Sequence, residues 1–304
     1  MRRLTRAGLA SLVMIQVTVS ACAATGGSAP ADYRTEIESW RKAREERLKS
    51  DTGWLTVAGL FWLKEGDNTF GSDLSSDIVL PAGSSPASVG VLKHQAGVTK
   101  LEVRPGVTVT LDGQPVTARE LRPDSSGSPD IIAINDLTLH VIHRGERYAI
   151  RLRDKNSKMR KEFTALSWYP VKESYRVTAR FVANDPPRQI PVPNIIGIVE
   201  PMPSPGYAVF SLDGREVRLN PVLEEPGADQ LFYIFSDATN GAESYPSGRF
   251  LYSDMPKDGV VVLDFNKAYT PPCAFTPYAT CPLPPEENRL PVRIEAGELK
   301  YGDH

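Results

Sequence analysis

Residues 250–294 read FLYSDMPKDGVVVLDFNKAYTPPCAFTPYATCPLPPEENRLPVRI. We predict strands over 259–265 and 292–295, and the residues between them include seven prolines. Proline lacks a backbone N–H and its ring clashes with the preceding helical turn, so this segment cannot form a helix. It also carries aromatic residues, which flexible linkers rarely contain. A long, rigid, aromatic loop in a compact domain is usually functional, and we therefore expect a site here.

The same segment contains Cys273 and Cys281, separated by seven residues. This spacing fits no familiar zinc or redox motif. Outside the cytoplasm, two thiols close in sequence tend to be oxidised. We therefore expect a Cys273–Cys281 disulfide, which stabilises by roughly 2–3 kcal/mol in the loop-entropy model. The alternatives are buried free thiols, or metal or catalytic use.

Polar side chains stand at the ends of the strands that we predict around this loop. If those strand ends meet, six side chains converge on one rim: Asp237, Arg249, Asp264, Asn266, Asn288 and Arg289. Two arginines beside carboxylates and amides form a receptor for an anionic or polar ligand, because the guanidinium is a bidentate fork. The alternative is that these side chains cap turns and pair with the irregular backbone, whose N–H and C=O groups need partners.

Many short apolar runs separated by turn residues make up most of the chain. This pattern predicts antiparallel sheets, and the absence of alternating strands and helices argues against a parallel α/β fold. We predict a mostly β protein, with a β-sandwich over residues 51–165 and a second antiparallel β-domain, sandwich or barrel, over 166–304. Asp112-Gly113 and Asp213-Gly214 predict tight hairpin turns, one in each domain.

One helix is predicted ahead of these strands, over residues 32–50. Tyr33, Ile37 and Trp40 form a stripe at helical spacing, which Ala43 or Arg44 continues. Asp32 can cap the first turn. We expect the stripe to pack on one side against the body of the protein.

Residues 1–22 have the features of a targeting segment. Three arginines precede a mainly apolar stretch over 7–19 that is too short to span a bilayer. The small residue before Cys22, after an apolar residue, resembles a bacterial lipoprotein signal, which implies that Cys22 becomes the lipidated N-terminus. The alternative is a plain secretory signal with a chance cysteine. Residues 23–31 then form a flexible tether.

These features predict an extracytoplasmic location, lipid-anchored to the bacterial membrane on its periplasmic side. The membrane is then a partner through the anchor. Cleavage changes the formal charge from −2 to −5, because it removes three arginines. An acidic balance argues against a nucleic-acid-binding protein, which normally has a basic face.

Familiar motifs for catalysis and for cofactors are absent from the sequence. There is no Gly-x-Ser-x-Gly, no phosphate-binding Walker loop, no His-Glu-x-x-His and no dinucleotide glycine fingerprint. His140 and His143 stand three apart and face opposite sides of an extended strand, which disfavours a metal site. We therefore expect no cofactor and no metal, and the sequence leaves open whether the protein is an enzyme.

The predicted sandwich resembles a forkhead-associated (FHA) domain. The resemblance lies in Gly66 and in three runs: FGSD at 70–73, DIVLP at 77–81 and TLDGQPV at 110–116. In that family an arginine after the first glycine, and a serine three residues before a histidine, help to bind phosphothreonine. Here Ser72 stands at the arginine position, and no histidine follows any serine of 84–88 by three. The resemblance thus implies an FHA-like fold without phosphopeptide binding.

Nearly all of the mature chain is similar to the family called domain of unknown function 1684 (DUF1684), which comprises bacterial, often exported, proteins of about this length. The most specific runs are SDATNG at 236–241, YPSGRFL at 245–251, and residues 263–290. Residues 54–68 and 144–147 also match. The family typically has Asn where Thr270 stands. The resemblance supplies no established activity.

Three functions remain compatible with these observations. The first is binding of a small polar or anionic ligand, or of a cell-envelope partner, by the C-terminal domain. The second is a hydrolase in which Asp237 or Asp264 acts as acid or base, and Arg249 or Arg289 stabilises developing negative charge. The third is a structural scaffold. Binding is the function that we expect.

Overall fold

The computed structural model describes residues 32–302. The signal segment, the tether and Cys22, on which the expectation of lipidation rests, lie outside the described residues. Among the described residues, no helix is both long and apolar enough to cross a membrane.

Two α-helices and seventeen strands are present in this part of the chain. The helices are α1 (Tyr33–Lys49) and α2 (Lys158–Glu162). The strands are β1 (Val57–Trp62), β2 (Gly66–Gly71), β3 (Ile78–Val79), β4 (Gly90–Gln95), β5 (Val98–Val103), β6 (Thr110–Leu111), β7 (Gln114–Pro115), β8 (Ala118–Leu121), β9 (Ile132–Ile134), β10 (Leu137–Arg144), β11 (Arg147–Asp154), β12 (Arg176–Pro193), β13 (Val199–Leu212), β14 (Arg215–Leu219), β15 (Gln230–Phe235), β16 (Arg249–Asp254) and β17 (Val260–Asp264). The predicted mostly β fold with an N-terminal helix is confirmed.

The first eleven strands form a β-sandwich. One sheet has the order β1-β11-β10-β9-β6-β7, and the other has the order β3-β2-β4-β5-β8. Phe70, Leu92 and Leu101 from one sheet pack with Leu139 and Ile150 from the other in one buried core. This is the two-sheet sandwich that the resemblance to FHA domains predicts.

The remaining six strands form the C-terminal unit, in two open sheets with the orders β14-β13-β12-β17 and β15-β16. Their side chains share a core, to which Leu219 and Leu263 contribute from the larger sheet and Tyr233 and Leu251 from the smaller. Because β14 and β17 remain as edges, these sheets correspond to the sandwich rather than the barrel of the two predicted alternatives.

The proline-rich loop follows β17 and has no further strand within the described residues. It contains the short 3-10 helices Phe265–Lys267, Pro272–Ala274 and Glu286–Asn288. The predicted strand over 292–295 is wrong, because side chains rather than a neighbouring strand bind this backbone. Asp237 accepts the Ile294 N–H at 3.2 Å, and Arg249 donates to the Ile294 carbonyl at 2.8 Å.

Helix α1 packs against the C-terminal unit, although it precedes the sandwich in sequence. The Tyr33 hydroxyl donates to Asp264 at 2.8 Å, and Arg44 donates to the Thr270 carbonyl at 2.9 Å. Leu48 is buried in a cluster with Phe275 of the proline loop. The predicted stripe therefore faces the body of the protein. Asp32 is the N-cap residue, but its side chain makes no capping hydrogen bond.

Candidate functional site

A cavity of about 1060 Å³ lies between α1, the sandwich and the C-terminal unit, and we call it the cleft. Helix α1 lines one side, β10 and β11 of the sandwich line another, and β12, β13, β15, β16 and β17 line the rest. The proline-rich segment also reaches it, through Tyr269, Pro272, Thr280 and Cys281. The loop singled out by sequence thus forms part of the wall of a large cavity.

Two arginines of one hairpin meet at the sandwich side of the cleft. Arg144 ends β10, and Arg151 lies in the middle of β11. Both donate to the Thr280 hydroxyl, Arg144 through Nε at 3.1 Å and Arg151 through Nη2 at 3.3 Å. Arg144 also pairs with Asp124, with 2.8 Å between its Nη1 and a carboxylate oxygen. We call Arg144, Arg151 and Thr280 the arginine end of the cleft.

Arg151 is a buried cation without a matching anion. The residue is 5% exposed, it forms no ion pair with any residue of 32–302, and its Nε has no hydrogen-bond partner there. Burial, followed by the positive charge of Arg144, lowers the pKa of Arg151 to about 10. The guanidinium is still charged at neutral pH, and an unpaired buried charge is unfavourable. An anion in the cleft would supply the missing partner.

His140 lies beside this charge, because it is the cross-strand partner of Arg151 in the β10–β11 pair and shares its face of the sheet. Burial, followed by the charges of Arg151 and Arg153, lowers the pKa of His140 to about 4. The imidazole is therefore neutral at neutral pH. The arginine end thus keeps its positive charge on the guanidinium groups.

An aromatic wall borders the cleft on the C-terminal unit. It consists of Phe232, Phe250, Tyr252 and Tyr269. The rings of Phe232 and Tyr252 stack at 4.8 Å, and those of Phe250 and Tyr269 meet edge to face at 5.7 Å. Aromatic side chains provide large apolar contact surfaces with fixed geometry. This wall can hold the apolar body of a ligand.

The two tyrosines of the wall both have raised pKa values. Tyr252 donates to Glu224 at 2.6 Å. Burial, followed by the charge of Tyr269, raises the pKa of Tyr252, and burial also raises the pKa of Tyr269. Both hydroxyls therefore remain protonated across the physiological range.

The helix side of the cleft is held by a buried ion pair. Arg44 Nε lies 3.3 Å from a carboxylate oxygen of Glu298, and its guanidinium stacks 4.6 Å from the centre of the Tyr269 ring. Burial raises the pKa of Glu298, an effect that Arg44 opposes. Nearby, Lys267 pairs with Glu36 at 2.6 Å. These partners tie α1 to the wall, so Arg44 and Lys267 are already neutralised.

The structure separates the six predicted rim residues into different roles. Arg249 and Asp237 form an ion pair whose side chains are both 0% exposed, and Arg249 also donates to backbone carbonyls of the C-terminal segment. Asp237 in turn accepts the Thr239 N–H at 2.9 Å. This pair binds other parts of the protein rather than facing a cavity.

Asp264 and Asn266 lie beside the N-terminal turn of α1. Asn266 donates to the Tyr33 hydroxyl at 2.9 Å and to the Lys172 carbonyl at 2.8 Å, and it accepts the Lys172 N–H at 3.0 Å. Among the six predicted residues, Asp264 is the one that lines the cleft.

Asn288 and Arg289 end the proline loop in different environments. Asn288 is buried and donates to the carbonyls of Asn220 and Ile234, at 2.8 and 2.9 Å. Arg289 is exposed, and its backbone pairs with Ser236. The six side chains therefore do not converge on one rim, because most of them satisfy loop backbone. This is the alternative that the sequence left open.

Cys273 and Cys281 lie side by side as free thiols. The Cys273 N–H donates to the Cys281 sulfur at 3.2 Å. The expected disulfide is thus not formed in this structure, although the two residues are in the contact that it requires. Among the described residues, no group of three His, Cys, Asp or Glu side chains could hold a metal ion.

Comparisons with known proteins place the chain in a family. Residues 161–299 match the family described as "Protein of unknown function (DUF1684)". A solved structure, that of an uncharacterized protein from gene locus rrnAC0354 of Haloarcula marismortui, is 31% identical. Its alignment covers 48% of this chain and 81% of that chain, with a TM-score of 0.41. This chain belongs to the DUF1684 family.

Two FHA domains are also similar to this DUF1684 protein. One was studied for phosphothreonine-dependent interactions, and the other is the FhaA domain in complex with the intracellular domain of Rv3910. Each is 17% identical and covers 31% of this chain, with a TM-score of 0.23; the alignments cover 92% and 97% of those chains. No curated protein matches the chain.

The sequence predictions missed the arginine end of this DUF1684 protein. Arg151 alternates with Ile150 and Leu152, which are buried in the sandwich core, so period two places it on the opposite face of β11. The signal available in the sequence was therefore an arginine placed between apolar residues of a strand. The sequence could not indicate that Thr280, 129 positions away, covers that face.

Proposed function

We propose that this protein binds a small organic anion in the cleft. The observation that carries the proposal is Arg151, a buried guanidinium with an unpartnered Nε that lines a cavity. Arg144 and Thr280 stand beside it with further donors. An anionic group held here would gain charge-assisted hydrogen bonds, and it would neutralise a charge that the protein now buries alone.

The rest of the cleft supports a ligand with an apolar, preferably aromatic, body. Cavities for small molecules are commonly about 300–1,000 Å³ and mostly apolar, with a few polar groups that fix orientation. The cleft is just above this range, at about 1060 Å³. Phe232 and Phe250 offer apolar ring surface to such a body. Arene carboxylates and phosphates have the matching chemistry.

Thermal unfolding with defined probes tests this proposal. We expect phenyl phosphate and benzoate to raise the Tm, phenyl phosphate by more than inorganic phosphate, and benzylamine to have no effect. At about 100 times the Kd, a ligand stabilises by about 2.7 kcal/mol, which corresponds to roughly 5–10 °C. Absence of any shift with all three anions would favour the scaffold alternative instead.

Arg151→Met provides the decisive variant. It keeps the side-chain volume but removes the buried charge, so we expect the free protein to be no less stable and the anion-induced shift to disappear. Arg147→Met is the matched control, because Arg147 is exposed on the same strand and stacks on Trp62, 3.7 Å from the ring centre. An unchanged shift in Arg151→Met, or equal losses in both variants, would contradict the proposed site.

The hydrolase alternative has less support, because Asp237 and Arg249 are already paired with each other. Asp264 lines the cleft but accepts from Tyr33, and Arg289 is exposed and does not line the cleft beside it. We therefore propose binding rather than catalysis.

We further propose that the protein acts outside the cytoplasm as a lipoprotein. The support is the sequence of residues 1–22, with its arginines, apolar stretch and Cys22. Cell fractionation tests this proposal: the wild-type chain is expected in the membrane fraction, and Cys22→Ser in the soluble periplasmic fraction or retained as uncleaved precursor. Recovery of both chains in the cytoplasm would contradict it.

A further inference from the structure

Cys273 and Cys281 form a pair of thiols with unequal surroundings. Cys281 is 4% exposed, and Cys273 is half-buried. The backbone around Cys281 is held in place, since its carbonyl accepts the Ile195 N–H at 3.0 Å. The Cys273 N–H donates to the Cys281 sulfur at 3.2 Å, so the two residues are in direct contact, as formation of a disulfide requires.

The surroundings also make the two thiols chemically different. Hydrogen bonds from Cys281 and from the Tyr245 hydroxyl lower the pKa of Cys273 to about 7. The hydrogen bond with Cys273, together with burial, raises the pKa of Cys281. A thiolate is the reactive form of cysteine, so Cys273 is the nucleophile of the pair.

A route to the pair runs through the cleft. Pro272 and Cys281 line the cavity, and Cys273 lies between Pro272 and the hydrophobic cluster around Phe275. Cys281 thus borders the cleft, and the half-buried Cys273 is partly accessible, whereas a fully enclosed structural cysteine pair would be closed to small molecules. None of the residues in the proposed anion contacts is a cysteine, so this chemistry is separate from the binding proposed above.

We propose that Cys273 and Cys281 are a dithiol centre that exchanges with small-molecule disulfides, with Cys273 as the attacking thiol and Cys281 as the resolving thiol. The Cys273 thiolate attacks one sulfur of the disulfide, whose S–S bond breaks, and the first thiolate leaves and takes up a proton. Cys281 then loses its proton and attacks the Cys273 sulfur, which releases the second thiolate. The small disulfide is reduced to two thiols, and the protein dithiol is oxidised to a disulfide. The reverse reaction starts from the bond that the sequence predicts.

Intact mass measurement with bis(2-hydroxyethyl) disulfide tests the proposal. The probe is uncharged, so failure of the anion site leaves this result unaffected. All variants carry Cys22→Ser in the full chain, which leaves only the two cysteines in question. The parent protein is expected to lose both thiols and to retain no adduct. Cys281→Ser is expected to retain one adduct on Cys273, because the resolving thiol is missing. Cys273→Ser is expected to react about tenfold more slowly or worse.

Three results would overturn the proposal: no loss of thiols, two adducts accumulating on the parent protein, or a Cys273→Ser variant as reactive as Cys281→Ser. Thermal unfolding first checks that both variants fold. If one of the variants does not fold, alkylation of the parent protein with iodoacetamide is used as the test instead. Cys273 should then be modified first, with a rate that rises through about pH 7, and preferential labelling of Cys281 would refute the assignment.

Discussion

Arg249 joins three segments of the C-terminal unit through a single guanidinium. It pairs with Asp237 after β15, and it donates to the carbonyls of Ile294 and Ala296 near the end of the described chain. All of these contacts are buried, and the side chain is 0% exposed. Removing one partner of a buried pair leaves an uncompensated charge, which is strongly destabilising.

We expect Arg249→Ala to lower the free energy of unfolding by about 3–5 kcal/mol. Arg289→Ala is the control, since Arg289 is exposed and should change stability by no more than about 0.5 kcal/mol. Chemical denaturation of both variants measures the difference. Equal effects would show that the buried pair does not hold this segment.

His140 makes stability depend on pH. The pKa of His140 in the folded protein is about 4, below the ordinary value of 6.5. Between these two pH values the unfolded chain therefore binds a proton more readily than the folded protein does. The contribution of neutral His140 to the free energy of unfolding is complete above about pH 6.5, and it is lost as the pH falls towards 4. The difference amounts to about 3 kcal/mol.

We therefore expect the stability of the wild-type protein to fall more steeply between pH 6.5 and 4 than that of His140→Gln. Denaturation midpoints across this range give the comparison. Parallel curves would mean that His140 is protonated as easily in the folded protein as in the unfolded chain.

At the scale of elements, helix α1 is held by the buried side chains of Ile37 and Leu48 and by polar contacts along its length. Leu48 is 1% exposed and packs with Leu166, Tyr245 and Phe275. Leu48→Ala should lower stability by about 2–5 kcal/mol, because it leaves a cavity in that cluster. The neighbouring Lys49 is exposed, and Lys49→Ala should be nearly neutral. Urea unfolding measures both, and a neutral Leu48→Ala would contradict this docking of the helix.

Local signals in the sequence predicted several elements well. Asp112-Gly113 and Asp213-Gly214 form the turns of the β6–β7 and β13–β14 hairpins, with positive φ at all four residues. These turns depend on residues adjacent in sequence, so a short motif is sufficient. The predicted helix over 32–50 likewise follows from a stripe of spaced side chains.

The long β12–β13 hairpin was not foreseen in full. Its prolines favoured several short strands, since proline cannot donate to a sheet. In β13, Pro201, Pro203 and Pro205 alternate, so their missing N–H groups all face one edge of the strand. The pairing with β14 begins only at Ala208, which leaves that stretch with a single neighbouring strand. The prolines are therefore compatible with this long strand, but only the observed strand pairing shows that they are.

The proposed site overlaps the sequence prediction only in part, for a similar reason. The proline segment was identified, and it lines the cleft through Thr280 and Cys281. The arginines expected beside it were those near in sequence, Arg249 and Arg289. The structure instead brings Arg144 and Arg151 from the sandwich, across 136 and 129 positions of chain. Such distant pairings arise from packing between units and leave no local pattern.

At the scale of the whole molecule, the cleft exists because three parts of the chain meet. The sandwich supplies the arginine end, the C-terminal unit supplies the aromatic wall, and α1 closes one side. The segment that matches the DUF1684 family, 161–299, contains neither the helix nor the arginines. A fragment with those boundaries therefore lacks two of the three walls.

The position of α1 also bears on how the protein is made. Tyr33 and Asp264 are 231 positions apart, and proteins are synthesised at about 5–20 residues per second. The helix thus leaves the ribosome roughly 10–50 s before the surface that receives it. During that interval Leu48 lacks Leu166, Tyr245 and Phe275, which complete its cluster. The same order applies to a chain threaded N-terminus first through a membrane channel. Newly synthesised chains are consequently most exposed to aggregation and to proteases near their N-terminus, which is where a chaperone would bind them.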